Sequence, residues 1–151
     1  MKIQIKRLIP ITTIIGICVC CCAAFGAQAN VSPLGPAVYT ANQATQGRGI
    51  YANQCASCHG ANLEGNIGPA LSGSAFEQMA AAQQLTAASL LAVITQSMPK
   101  IDPGSLSAAD YANVTAYILK ENNFAAGQNP LSASSPLLQT LMLTKSSPTS
   151  Q

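Results

Sequence analysis

Apolar and polar residues change their spacing along this chain, and each change predicts an element. Leu8 to Phe25 is an almost unbroken apolar stretch, preceded by Lys2, Lys6 and Arg7 and followed by Ala27-Gln28-Ala29. A basic start, an apolar middle and a small-x-small end mark an export leader cut after Ala29. From Thr40 the spacing becomes helical. Thr40 with Gln43 forms a capping box and predicts a helix over 41–54. Gly47 and Gly49 weaken it by up to about 1 kcal/mol each relative to Ala, which calls for a close neighbouring helix. Ser74 to Glu77 is a second capping box and predicts a short helix over 75–82. Thr86 can cap a helix over 87–96 with Leu90, Leu91, Val93 and Ile94 on its apolar side, stopped at Met98-Pro99. Ser107 as N-cap and Asp110 in the first turn open a helix over 108–121. Its buried face is Tyr111, Val114, Tyr117 and Ile118, and Asn122-Asn123 can close it. Gly60 to Gly73 and Asp102-Pro103-Gly104 read as loop and turn. No stretch alternates well enough to be a strand, so the expected fold is all-α.

The expected organisation is a leader over 1–29, coil over 30–40, one folded domain over 41–124 and a tail over 125–151. The 122 residues after the leader suit a single domain. A globule of that size has a radius of gyration of about 14 Å, so a large cofactor would lie with an edge near the surface. The leader's positive charges stay inside, which puts the remainder in the periplasm, with membrane contact only where the leader is retained. After the leader, four cationic side chains face five acidic ones, a balance of −1. That leaves no basic patch for nucleic acid or an acidic membrane, and little electrostatic steering of any partner.

Cysteine count alone suggests disulfides, but Cys18, Cys20, Cys21 and Cys22 all fall in the leader. What remains is Cys55-Ala56-Ser57-Cys58-His59, which holds the chain's single histidine. Cys-x-x-Cys-His is the pattern for covalent haem c attachment. Two thiols at this spacing reach two vinyl groups, and the adjacent imidazole falls under the iron as an axial ligand. A thiol–disulfide redox pair and a zinc site are the competing readings. A zinc site is one ligand short here, and no buried strand precedes Cys55 as in thioredoxin-like proteins. With His59 the sole histidine, the sixth ligand is a methionine, a weaker group or an open position. Met79 sits within a helix and Met142 in the tail, whereas Met98 ends a helix in a turn-rich loop and is the strongest candidate. Thioether ligation favours ferrous iron, and two filled axial positions leave it able only to change charge.

These residues resemble a class I cytochrome c over roughly 41–124, through Cys55 to His59, Gly68-Pro69, Met98-Pro99 and paired terminal helices. The resemblance implies helices packed around one covalent haem, with Gly47 and Tyr51 set against Val114 and Tyr117. It also implies that the Pro69 carbonyl accepts a hydrogen bond from the proximal imidazole. The run from Met98-Pro99 through Pro103 to Ser107, and on through Tyr111 and Val114 to Leu119, is similar to cytochromes that serve quinoprotein (pyrroloquinoline quinone) dehydrogenases. On that likeness Leu131, Leu137, Leu138 and Leu141 pack on the body; the alternative reading of the same stretch is a disordered polar tail. The implied function is electron transfer between a redox donor and acceptor at an apolar surface including Ile67, Ala70, Leu71, Pro99 and Ile101. Two alternatives stand beside it: a cytochrome subunit of a quinoprotein dehydrogenase, and a haem enzyme or gas sensor with a labile sixth position.

Overall fold

A computed structural model of the chain describes residues 34–144. The expected leader, the first residues of the coil after it and the last residues of the tail lie outside the described residues. The elements in order are β1 (Leu34–Thr40), α1 (Ala41–Gln54), α2 (Ala56–His59), α3 (Gly73–Ala82), α4 (Ala87–Ser97), α5 (Ala108–Glu121), β2 (Phe124–Gly127) and α6 (Leu137–Thr140).

Local chemistry sets three of the helix starts. The Thr40 hydroxyl accepts the Gln43 N–H at 3.3 Å, and the Gln43 side chain accepts the Thr40 N–H at 3.2 Å. At α4 the Thr86 hydroxyl accepts the Ser89 N–H at 3.1 Å, and Ser89 Oγ accepts the Thr86 N–H at 2.8 Å. At α5 the Ser107 hydroxyl accepts the Asp110 N–H at 3.1 Å. Each bond satisfies one N–H that a helix leaves orphaned at its first turn. The helix expected to start at Ala75 is corrected. α3 begins at Gly73, with Ser72 at the N-cap position and no side-chain bond there. Gly73 has φ +73°, a turn conformation that brings the chain into the helix before Ser74 is reached.

α1 and α5 cross in contact. A Cβ at Gly47 would overlap the main-chain carbonyl of Asn113, so only a hydrogen fits at the crossing. One turn further on, the rings of Tyr51 and Tyr117 meet at 5.4 Å between centroids and 56° between planes, a tilted pairing aromatic rings favour. Gly49 has nothing within 4 Å of where its Cβ would stand, so it does not serve the helix contact expected of it. The expected buried face of α5 proves too narrow. Every residue from Tyr111 to Leu119 is buried, because α1, α4 and β2 all pack on this helix.

Two short strands correct the all-α expectation and the coil expected over 34–40. β1 pairs in parallel with β2, with Leu34 opposite Phe124, Tyr39 opposite Ala126 and an irregularity between. The buried Tyr39 hydroxyl donates to the Phe124 carbonyl at 2.6 Å. The strand escapes a pattern search because Val38 and Tyr39 are buried side by side and Gly35 and Pro36 precede them. Proline is tolerated in a strand at a sheet edge, and a sheet of two strands is all edge.

The tail folds back over the body. Leu131, Leu138, Leu141 and Leu143 are buried, whereas Leu137 is 47 % exposed. A single helical turn presents one side inward, and α6 presents Leu138. The Gln43 amide grips the tail as a strand would, accepting the Leu131 N–H at 2.7 Å and donating to the Leu131 carbonyl at 3.1 Å. Further on, Leu141 O accepts the Ala87 N–H at 2.9 Å and the Leu143 N–H donates to Leu85 O at 2.8 Å.

The two α1 glycines should respond in opposite directions. Gly47→Ala is expected to destabilise the protein by at least about 2 kcal/mol, since the obstacle is backbone. Gly49→Ala is expected to stabilise it by about 0.5–1 kcal/mol through lost chain entropy alone. Denaturant unfolding of both variants reads the difference, and equal losses would disprove the crossing geometry.

Candidate functional site

The turn that carries the two cysteines hangs from the end of α1. Cys55 N–H donates to Tyr51 O at 2.9 Å, and the N–H groups of Cys58 and His59 both donate to Cys55 O, at 3.1 and 2.9 Å. Gly60, at φ +83°, ends the turn. The Tyr51 hydroxyl donates to the Gly60 carbonyl at 2.7 Å and ties the far side of the turn back to α1. The following loop then folds over the turn. Gly65 N–H donates to His59 O and Gly68 N–H to Cys58 O, each at 2.8 Å.

This fold-back fixes the imidazole. His59 is buried, and a Cβ at Gly68 would stand 2.8 Å from its ring carbon Cε1. Glycine therefore lets the loop lie flat on the ring. Nδ1 is 2.8 Å from the Pro69 carbonyl oxygen. A carbonyl can only accept, so Nδ1 is the donor, which in the neutral ring leaves the lone pair on Nε2.

Cys55, Cys58 and His59 line one cavity of about 460 Å³, together with Met98 and Met79. Its volume is in the usual range for cofactor sites, roughly 300–1,000 Å³. α5 contributes Val114 and Ile118, α4 contributes Leu90, Val93 and Ile94, and Lys100 is the one charged side chain in the lining. Both cysteines are free and half-buried. Burial first, and then the neighbouring Cys58, push the Cys55 thiol up to about 11. A working thiol–disulfide pair needs a thiol lowered toward neutrality, so this environment opposes the redox-pair reading. Among the described residues no three His, Cys, Asp or Glu gather as a metal site, which leaves zinc without a ligand set.

The structure brings all five expected site residues together: Cys55, Cys58, His59, Pro69 and Met98 all line the cavity, with the Pro69 carbonyl bonded to His59. Of the expected apolar surface, Ile67 and Ile101 are 85 % and 95 % exposed. Pro99 is buried, however, because it turns inward with Met98 at the cavity wall. Sequence reasoning alone misses three contributions: Gly68 as the bed of the imidazole, the Tyr51 hydroxyl, and the Tyr111 hydroxyl behind Met98. Only Gly68 carries a local signal, as the glycine before Pro69.

A family model described as cytochrome c oxidase, cbb3-type, subunit III matches residues 42–118. The chain belongs to this family of cytochrome c domains. No curated protein and no solved structure matches it. As a cytochrome c domain it is an electron-transfer protein with redox protein partners, and its cofactor is covalently bound haem c. The residues present fit that group. Two unpaired thiols, an imidazole with a free Nε2 and thioether sulfurs meet in one apolar cavity. Among the described residues of this cytochrome domain, no helix is long and apolar enough to cross a membrane.

Three buried tyrosines give a pH test. Burial, before any neighbouring charge, raises Tyr39, Tyr51 and Tyr117 above their ordinary 10.0, Tyr51 to about 12. Below pH 10.0 these groups are protonated in both folded and unfolded chains and stability is unaffected. Above it the unfolded chain ionises first, so stability is expected to fall as pH rises from 10.0 through about 12. Far-ultraviolet dichroism and tyrosinate absorbance, followed together, check this. Tyrosines that ionise near their ordinary value with helices intact would contradict it.

Proposed function

We propose that this cytochrome is a periplasmic, monohaem carrier of single electrons whose haem iron is held by His59 and Met98. The observation that carries the reading is His59, with Nδ1 taken by the Pro69 carbonyl and Nε2 left free in a cavity shared with both cysteines and Met98. One Cys-x-x-Cys-His and one histidine in the whole chain support a single haem. The leader pattern before Asn30 supports export.

When bound, the haem supplies a one-electron iron couple. The chain's residues do the rest. Cys55 and Cys58 would hold the macrocycle through thioethers. His59 would ligate the iron through Nε2, and the Pro69 carbonyl, bonded to Nδ1, fixes the ring and would make that nitrogen a better donor. Met98, in the same lining, would be the second ligand, and its thioether would raise the potential relative to a second nitrogen. Its backbone is extended at the end of α4, at φ −129° and ψ 155°, in a loop that can present the side chain to the cavity it lines. Met79 lines the cavity as well, but from within α3. The walls are mostly apolar. Membership of a cytochrome c domain family supports carriage over catalysis.

Ile67 and Ile101 stand exposed beside the cavity, with Lys100 next to Ile101. A small apolar surface with so little charge supports brief docking of the size seen in redox encounters. The family's description names an oxidase subunit, and the likeness of 98–119 to cytochromes of quinoprotein dehydrogenases supports such an enzyme as the donor.

His59→Ala is expected to abolish stable haem-protein. Met98→Ala is expected to keep haem attached, lower the reduction potential and open the reduced iron to carbon monoxide. Visible spectra with and without carbon monoxide check both, and a Met98→Ala spectrum identical to wild type would move the ligand to Met79. For docking, Ile67→Glu combined with Ile101→Glu is expected to slow electron exchange several-fold with an unaltered spectrum. Co-elution of the wild-type chain with a larger catalytic chain at high salt would make it a fixed subunit instead of a carrier.

A further inference from the structure

The loop that carries Met98 is fastened by a single buried hydroxyl. Tyr111, on α5, is 2 % exposed. Its hydroxyl donates to the main-chain carbonyl of Met98 at 2.7 Å and receives the Leu106 N–H at 3.4 Å. These two bonds hold both ends of the 98–106 loop. The other bonds at Met98 are local: its N–H donates to Ile94 O at 3.0 Å, and Gly104 N–H reaches its carbonyl at 3.4 Å. Among the described residues, the Tyr111 hydroxyl is the hydrogen-bonded tie from this loop to a different helix. That helix is a firm anchor, since Tyr111 to Leu119 are all buried.

We infer that Tyr111 is a positioning residue for the axial methionine, its hydroxyl holding the Met98 main chain so that the thioether stays committed to the iron. The inference rests on Met98 being the ligand. An iron–thioether bond is readily displaced by an added nitrogen ligand. How readily depends on how far the free thioether can stray before it rebinds. A loop pinned at both ends keeps the sulfur close, which is preorganisation of a ligand in its bound conformation. Phenylalanine at this position keeps the ring and its packing but donates nothing. The Met98 carbonyl then retains only the long Gly104 contact, and the open loop gains population.

The test uses the full-length haem-loaded protein in its oxidised state, titrated with imidazole. Tyr111→Phe is expected to bind imidazole roughly fivefold more tightly than wild type, the factor that loss of one hydrogen bond produces. Tyr39→Phe is the control. It deletes an equally buried hydroxyl, bonded at 2.6 Å to Phe124 O and outside the cavity lining. Both variants are expected to unfold at lower denaturant, but only Tyr111→Phe should alter imidazole binding. Wild-type affinity in Tyr111→Phe, or an equal change in both, overturns the role and leaves a tyrosine that only packs. Met98→Ala, titrated alongside, separates the two claims. If it binds imidazole as wild type does, the ligand assignment itself fails and Tyr111 loses its role with it. If Met98→Ala binds far more tightly while Tyr111→Phe does not change, the ligand stands and only the positioning role is lost.

Discussion

α1 and α5 touch at a place where only a hydrogen atom fits. The missing side chain of Gly47 lets the Asn113 carbonyl sit against α1, and the distance between the two helices follows from that contact. Tyr51 and Tyr117 can then meet at a tilt across the crossing, and Val114 and Ile118 become a wall of the cavity that opens beyond it. The cysteine-bearing turn continues directly from α1, so its place over that wall is inherited from the same crossing. A displacement of α1 by the width of one methyl group would move the thiols, the imidazole and the cavity wall relative to one another.

The imidazole itself is held from three directions. The backbone of the turn sets where His59 begins, Gly68 lies flat against the ring, and the Pro69 carbonyl accepts the Nδ1–H. Each constraint comes from a short stretch of chain around His59, which makes the proximal side a local construction. The opposite side is built differently. Met98 arrives from the end of α4 and is backed by a hydroxyl from α5, so its position depends on packing between helices. The two faces of the cavity therefore differ in how far along the chain their supports lie.

That difference decides what could be read from the sequence. The starts of α1, α4 and α5 are written in residues three apart, and the haem-attachment turn in five consecutive ones. Local bonds leave local patterns. β1 leaves none, because its partner is β2, at the other end of the domain, and its two buried residues are adjacent instead of alternate. Leu138 points in and Leu137 points out for a reason that only the docked tail supplies. Gly47 and Gly49 look alike on paper, and only the position of α5 separates them. Tyr111 reads as one more apolar residue on a buried face, since nothing near it in sequence shows where its hydroxyl ends.

The composition of the cavity wall has one more consequence. Leucine, isoleucine, valine and proline side chains carry almost no permanent dipole, and a single lysine supplies the lining's formal charge. When the charge at the centre of such an enclosure changes by one, few groups around it need to turn. Small rearrangement of the surroundings would lower the barrier to electron hopping in both directions, so a mostly apolar lining would suit a centre that must both gain and lose an electron.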